Sequence, residues 1–332
     1  MTRTVLESAT KTAIIGFDEP FCVIGERINP SGRKALNLQL EQDDFSTVEK
    51  DALAQVACGA NVLDINSGAV FSGKMAEDPR YADNNFVEPP LMKKLIETVQ
   101  NLVDVPLCID SSVPAALEAG LEVCKGRPLV NSVTGEDDRL ERVLPLIKKY
   151  NVPVVAISND ETGISDDPDV RFEVARKIVQ RAADYGIPAH DIVVDPLVMP
   201  IGAKPVAGTS VFALIGRLRA ELGVNTTCGA SNISFAMPHR HGINAAFLSM
   251  AIGAGMTSAI MNPVRAVEME AIRAANLMMN HDPNGGTWIK FGRVLDAVAE
   301  GQDFATASAA ARASDDSSGR GRRGGGARRR RG

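Results

Sequence analysis

One recurrence constrains this chain more than any other feature. Eight short apolar stretches, each closing on a polar residue, alternate with stretches of helical spacing. The clearest is Asp191-Ile-Val-Val-Asp-Pro-Leu197. A run this apolar suits a strand buried on both faces of a parallel sheet. Asp195 falls where the strand ends, and Pro196 stops it. The other strands read Phe21–Asn29, Asn61–Asn66, Val105–Asp110, Arg127–Asn131, Val152–Ser158, Asn225–Gly229 and Met256–Met261. The helical spacing covers Asp43–Cys58, Leu91–Leu102, Pro114–Cys124, Asp138–Tyr150, Asp169–Tyr185, Thr209–Leu222, Gly242–Gly253 and Val264–Met279. Eight such alternations predict an α/β fold, a (β/α)8 TIM barrel. A doubly wound open sheet is the competing arrangement. No Gly-x-Gly-x-x-Gly follows the first strand, which weakens a dinucleotide-binding reading.

The expected organisation is a lead-in over 1–20, the barrel over 21–290, a helical extension over 291–313 and an Arg/Gly-rich tail over 314–332. A terminal helix is expected at Ala305–Ala313, and the tail is expected to be disordered. Ser67–Pro90 reads as a long loop, of the kind that serves as a lid. The size suits one barrel: 332 residues, 45% hydrophobic, mean hydropathy −0.03. No apolar run approaches the ~20 residues that span a bilayer. Nor does Met1–Thr12 carry the apolar segment of a secretion signal, so a cytoplasmic protein is expected, away from membranes.

Five cysteines without a Cys-x-x-Cys pair read as reduced core thiols. Four histidines without His-Glu-x-x-His give no zinc signature, and no bound metal is expected. The charge is uneven. Seven arginines lie between Arg320 and Arg331, and without their charges the net value falls from −5 to −12. Such a tail can attract nucleic acid or an acidic partner. It has no aromatic residue for base stacking, so nucleic-acid binding is expected only through it, if at all.

In such barrels the site lies at the C-terminal ends of the strands. The polar residues gathered there are Glu26, Arg27, Asn29, Asp64, Asn66, Asp110, Ser111, Asn131, Ser132, Asn159, Asp160, Asp195, Ser231, Asn232 and Asn262. The set is rich in Asn and Asp and poor in Lys, His and Cys. It suits a neutral heterocycle with N–H donors and ring-nitrogen acceptors, because Asp accepts two parallel hydrogen bonds and Asn both donates and accepts. It suits a phosphate poorly, since no glycine loop or paired cations accompany it. An Asp or Asn at a strand end can equally cap the next helix. Asp64, Ser111 and Ser132 are the residues assigned to capping or scaffolding. No side chain stands out as a nucleophile, so positioning and hydrogen bonding would carry the catalysis.

These residues bear a family resemblance. Ile24-Gly-Glu-Arg-Ile-Asn29, Leu63-Asp-Ile-Asn66, Ile109-Asp-Ser111, Val130-Asn-Ser132, Val194-Asp-Pro-Leu197 and Gly229-Ala-Ser-Asn-Ile-Ser234 occur in order on successive strands. From about Cys22 to Met279 the chain resembles the pterin-binding barrel of methyltetrahydrofolate:corrinoid methyltransferases, which includes the folate module of cobalamin-dependent methionine synthase. The resemblance implies transfer of the N5-methyl group between methyltetrahydrofolate, as substrate, and the cobalt of a corrinoid. Asp195 and Asp110 would hold the pterin ring, with Asn131 as a third contact and Glu26, Asn29 and Asn66 lining the same site. Asn232 would be the catalytic residue, a mobile asparagine reaching the N5 side, with the proton coming from water or a relay.

The chain has neither a zinc-ligand cysteine cluster nor an Asp-x-His-x-x-Gly corrinoid motif, so the corrinoid is expected on a separate protein. The Ser67–Pro90 loop and His239, Arg240 and His241 would lie on the face that receives it. A homodimer is expected, with the methionines of the last barrel helix in the core or at the subunit interface. Dihydropteroate synthase is a related barrel that binds diphosphate with a lysine after strand seven and an arginine near strand eight. Here those positions read Ser231-Asn-Ile-Ser234 and Met261-Asn-Pro263. Two alternatives therefore stand beside methyl transfer: pterin condensation, and a non-catalytic folate- or RNA-binding protein that uses the basic tail.

Overall fold

The computed structural model describes residues 2–69, 71 and 78–322. Eight parallel strands form the barrel: β3 Cys22–Ile28, β4 Val62–Asn66, β5 Leu107–Asp110, β6 Leu129–Thr134, β7 Val154–Ile157, β8 Ile192–Asp195, β9 Asn225–Thr226 and β10 Ser258–Met261. Each matches one of the eight apolar stretches. The sheet runs β10-β3-β4-β5-β6-β7-β8-β9, and its two ends meet at a seam. β9 has only two residues, fewer than its apolar stretch suggested. The seam is closed instead by one parallel bridge, Gly229 to Ile260, and by side chains. Thr257 Oγ1 accepts from the Thr226 amide and donates to its carbonyl, both at 2.9 Å, and Ser258 Oγ donates to the same carbonyl.

Helices α1 Lys34–Glu41, α2 Ser46–Cys58, α3 Asn84–Leu102, α4 Pro114–Val123, α5 Asp137–Tyr150, α6 Pro168–Asp184, α7 Ala207–Arg217, α8 Arg240–Ala254 and α9 Ala266–Met278 wrap the barrel. Two more follow, α10 Gly286–Ala299 and α11 Phe304–Arg322. α11 extends past Ala313, so residues 314–322 continue a helix where a disordered tail was expected; 323–332 lie outside the described residues. α3 also starts earlier than its spacing suggested. Asp83 caps it, its carboxylate accepting from the Asn85 amide, and the helix carries Pro89 and Pro90 within it. The Ser67–Pro90 loop is correspondingly shorter, and 70 and 72–77 lie outside the described residues.

Alternation along each strand decides which residues see the barrel's interior. Leu63, Ile65, Leu107, Ile109, Val130, Val154, Ile192 and Val194 face outward into the main core under the helices. Cys22, Ile24, Val62, Cys108, Leu129, Val155 and Val193 pack together inside. Leu6 and Ile15 complete that inner cluster, both fully buried. They belong to an antiparallel hairpin, β1 Arg3–Glu7 with β2 Thr12–Gly16, where a patternless lead-in was expected. The hairpin closes the N-terminal end of the barrel. Asn225 Nδ2 donates to Thr4 Oγ1 at 2.9 Å and to the Ile15 carbonyl at 2.8 Å. Arg127 donates to the Val5 carbonyl and pairs with Asp191, each at 2.7 Å. Among the described residues no helix is long and apolar enough to cross a membrane.

Candidate active site

The inner apolar layer predicts the layer above it. Two residues beyond Ile24, Val62, Cys108, Leu129 and Val193 stand Glu26, Asp64, Asp110, Asn131 and Asp195. Period-two alternation turns all of these toward the barrel axis at its open end. Register brings them level: Asp110 pairs with Asn131, and Ile157 with Asp195. Together they line a pocket of about 470 Å³ with Arg27, Asn29, Ser31, Arg33, Ser132, Gly229, Asn232 and Ile260.

Asp195 is held from both sides of its peptide. Its Oδ1 accepts from the Leu197 amide at 2.8 Å, and its carbonyl accepts from Ser158 Oγ at 2.8 Å. Arg171, buried on α6, donates to the carbonyls of Pro196 and Leu197 at 2.9 and 2.7 Å. Burial pushes the Asp195 carboxyl up to about 6, against the Leu197 hydrogen bond and the Arg171 charge. Asp110 is also pushed up to about 6, chiefly by burial, while Asn66 and Asp64 hydrogen bonds pull it down. Asp64, 2% exposed, is raised well above the carboxylate range by burial and then by the charge of Asp110. Asp64 and Asp110, neighbours on β4 and β5, cannot both ionise freely, so this part of the pocket holds a proton or awaits donors.

The turn after β9 is different. Asn232 sits in a short 3-10 turn, Ala230–Ser234, and is exposed at the pocket. Arg240 fixes that turn: it donates to the Ser231 carbonyl at 2.6 Å and to Ser234 Oγ at 3.1 Å. A Cβ on Gly229 would come within 3.0 Å of Asn232 Nδ2, so glycine there leaves the amide room. At the mouth, Arg27 and Arg33 both pair with Asp51, at 3.2 and 2.8 Å.

The pocket thus gathers six of the seven residues singled out from sequence: Glu26, Asn29, Asp110, Asn131, Asp195 and Asn232. Asn66 stands behind the lining. Its Nδ2 donates to Asp110 Oδ2 at 2.8 Å and its Oδ1 accepts from the Gly68 amide, so both ends of its amide are used within the protein. Several strand-end residues act in turns: Asp160 accepts from Thr162, Asn262 from the Val264 amide, and Ser111 from the Val113 amide.

Sequence reasoning set Asp64 and Ser132 aside as caps or scaffold, yet both line the pocket. The signal was present, because Asp64 and Asn66 are two apart and share a face. It also missed Arg171 and Arg139. Arg139 donates to the carbonyls of Ser112, Ser111 and Ser132, tying together the turns after β5 and β6. Both arginines sit in the first turn of a helix, where the dipole disfavours a cation, and that conflict was the available clue.

Comparison with known proteins places the chain. Residues 25–262 match the family described as pterin binding enzyme, and the chain belongs to that family. It is 30% identical over 266 residues to the methylcorrinoid:tetrahydrofolate methyltransferase of Eubacterium limosum, covering 78% of this chain and 92% of the relative. It is 28% identical over 268 residues to methionine synthase of Mycobacterium tuberculosis, covering 77% of this chain but only 21% of that longer protein. Among solved structures, the barrel is like dihydropteroate synthase of Xanthomonas albilineans with 4-aminobenzoic acid, with a TM-score of 0.59 at 20% identity over 86% of this chain and all of that one. The Yersinia pestis dihydropteroate synthase gives 0.58 at 17% identity, covering 83% and 99%. At these identities the structural likeness speaks for the pterin-binding barrel fold.

Proposed function

We propose that this protein transfers the N5-methyl group between methyltetrahydrofolate and the cobalt of a corrinoid carried by a separate protein. One observation carries the reading most. Buried carboxylates and an amide, Asp195, Asp110, Asp64 and Asn131, line one open pocket together with an exposed asparagine, Asn232. A reduced pterin has a flat edge of N–H donors and, at the other end of the ring system, the reacting nitrogen. In this reading Asp195 takes the amino-pyrimidinone edge. The ring's donors meet carboxylates already desolvated, so the cost of drying them is met before the ligand arrives. Asp110, oriented by Asn66, and Asn131 take the neighbouring ring atoms. The names of the two relatives above support the methyl donor and the corrinoid partner.

Asn232 lies toward N5. A tertiary amine leaves poorly, so contacts that strengthen as N5 gains a proton lower the barrier selectively. Pterin condensation fits less well. Its diphosphate leaving group asks for free cations, and the lining cations Arg27 and Arg33 already share the Asp51 carboxylate. A homodimer belongs to the same proposal, with Met250, Met278 and Val267, all exposed on α8 and α9, as its contact face.

The test is incubation of the protein with methyltetrahydrofolate and chemically reduced free cobalamin. The spectrum of methylcobalamin is the expected outcome. Folate binding without methyl transfer would remove the proposal.

A further inference from the structure

Methyl transfer from N5 needs a proton there, and an asparagine cannot deliver one. Glu26 stands at the end of β3, on the Asn232 side of the pocket, and the Ser231 hydroxyl donates to its carboxylate. Near it lies Glu268 of α9, 1% exposed. Glu268 Oε1 meets His241 Nδ1 at 2.8 Å and accepts from Asn244 Nδ2 at 3.0 Å. Its Oε2 is buried and has no hydrogen-bond partner among the described residues. The His241 side chain is 43% exposed. Three titratable groups therefore run from solvent, through a buried carboxylate, to the wall where N5 is expected.

A purely structural reading of Glu268 is that it ties α8 to α9. One oxygen does that work. A second, buried and unpaired, adds only desolvation cost. Two neighbouring carboxylates that pass a proton between them account for it. The other charged groups facing Glu26 are Arg240 of α8, Arg27 on its own strand and Asp64 of β4. Burial, then the charge of Glu268, outweigh the two arginines and push Glu26 up to about 7. It thus keeps a proton close to neutral pH.

We propose that Glu26, Glu268 and His241 form a proton relay that serves N5 of the bound folate and is recharged from solvent at His241. This rests on the methyl-transfer reading above. In the forward step the carbon–N5 bond breaks and its electron pair stays on nitrogen. The Glu26 proton ends on that nitrogen. The electron pair of Co(I) forms the new bond to the methyl carbon. His241 then protonates Glu268, which passes that proton on to Glu26, and His241 regains one from solvent. In the reverse direction the same carboxylate accepts the proton that N5 loses.

The experiment is the pH profile of single-turnover methyl transfer from methyltetrahydrofolate to free cob(I)alamin, for the wild type and Glu268→Gln. The donor must be protonated, so the wild-type rate should fall as pH rises through about 7. Removing the neighbouring negative charge makes Glu26 a stronger acid, so this limb should move to lower pH in Glu268→Gln while folate affinity holds. A limb that stays in place, or a loss uniform across pH, overturns the relay and leaves the methyl-transfer reading standing. Absence of transfer by the wild type overturns both. If Glu268→Gln does not fold, His241→Gln, altered at a half-exposed side chain, decides. Steady-state turnover should fall about tenfold or more and recover with added imidazole. Full turnover, or a loss that imidazole leaves untouched, rejects the relay.

Discussion

The two ends of this barrel are built from the same eight strands and handle buried charge in opposite ways. At the closed end, Asp191 is buried against Arg127 at 2.7 Å, and a hairpin lies over the pair. At the open end, Asp64, Asp110 and Asp195 are buried around one pocket, and among the described residues none of them makes a salt bridge. Arg171 and Arg139 are nearby, but they spend their donors on backbone carbonyls. The closed end gives its buried carboxylate a cation, although among the described residues Asp191 Oδ1 and Asn225 Oδ1 have no hydrogen-bond partner. The open end is left with acceptors that want donors, which is the condition of a site waiting for a ligand.

The largest expected effect breaks the closed end. Arg127→Ala leaves Asp191 buried without its partner and should cost about 3–5 kcal/mol in urea unfolding. Folate affinity of the folded fraction should be retained. A loss below about 1 kcal/mol would mean that the pair is dispensable and the contrast between the ends is weak. The opposite outcome is expected at the open end. Asp195→Ala should weaken folate binding by about 2–4 kcal/mol, because ring donors go unpaired. Its unfolding free energy at neutral pH should hold or rise. An unchanged dissociation constant would remove Asp195 from the site.

The next effect sharpens the comparison through pH. Asp110 and Asp195 are both raised to about 6 in the fold. A raised carboxyl binds its proton more tightly folded than unfolded. The stability it contributes is therefore complete below the ordinary carboxylate value near 4 and lost as pH rises from there to about 6, on the order of 1–3 kcal/mol for each. Stability of the ligand-free protein should fall over that window, and Asp195→Asn should flatten part of the fall. Folate binding should tighten over the same window, since the ring's donors favour the ionised carboxylate. Affinity that is flat from pH 4 to 7 would contradict the weakened acidity of the two carboxyls.

How much of this was legible in the sequence follows from how periodic each part is. The barrel strands carry apolar runs long enough to read, and their polar ends located six of the seven pocket residues named in advance. The hairpin has two five-residue strands with burial alternating in Arg3–Glu7, too short a pattern to separate from a loop. The start of α3 was hidden by Pro89 and Pro90, which read as breakers although Asp83 caps the helix ahead of them. Asp64 was assigned by its plausible capping role, when its two-residue spacing from Asn66 placed it on the inner face. Arg139, Arg171 and Glu268 come from helices and reach the site only through tertiary packing, which no local pattern encodes.

The central claim is that the buried carboxylates bind while the exposed Asn232 turn reacts. The most direct test is Asn232→Ala, measured twice: folate dissociation at equilibrium, and single-turnover methyl transfer to free reduced cobalamin. The rate should drop about tenfold to a hundredfold, as for a lost transition-state contact. The dissociation constant should move far less than that. A rate that falls only in proportion to lost affinity would contradict that division of labour.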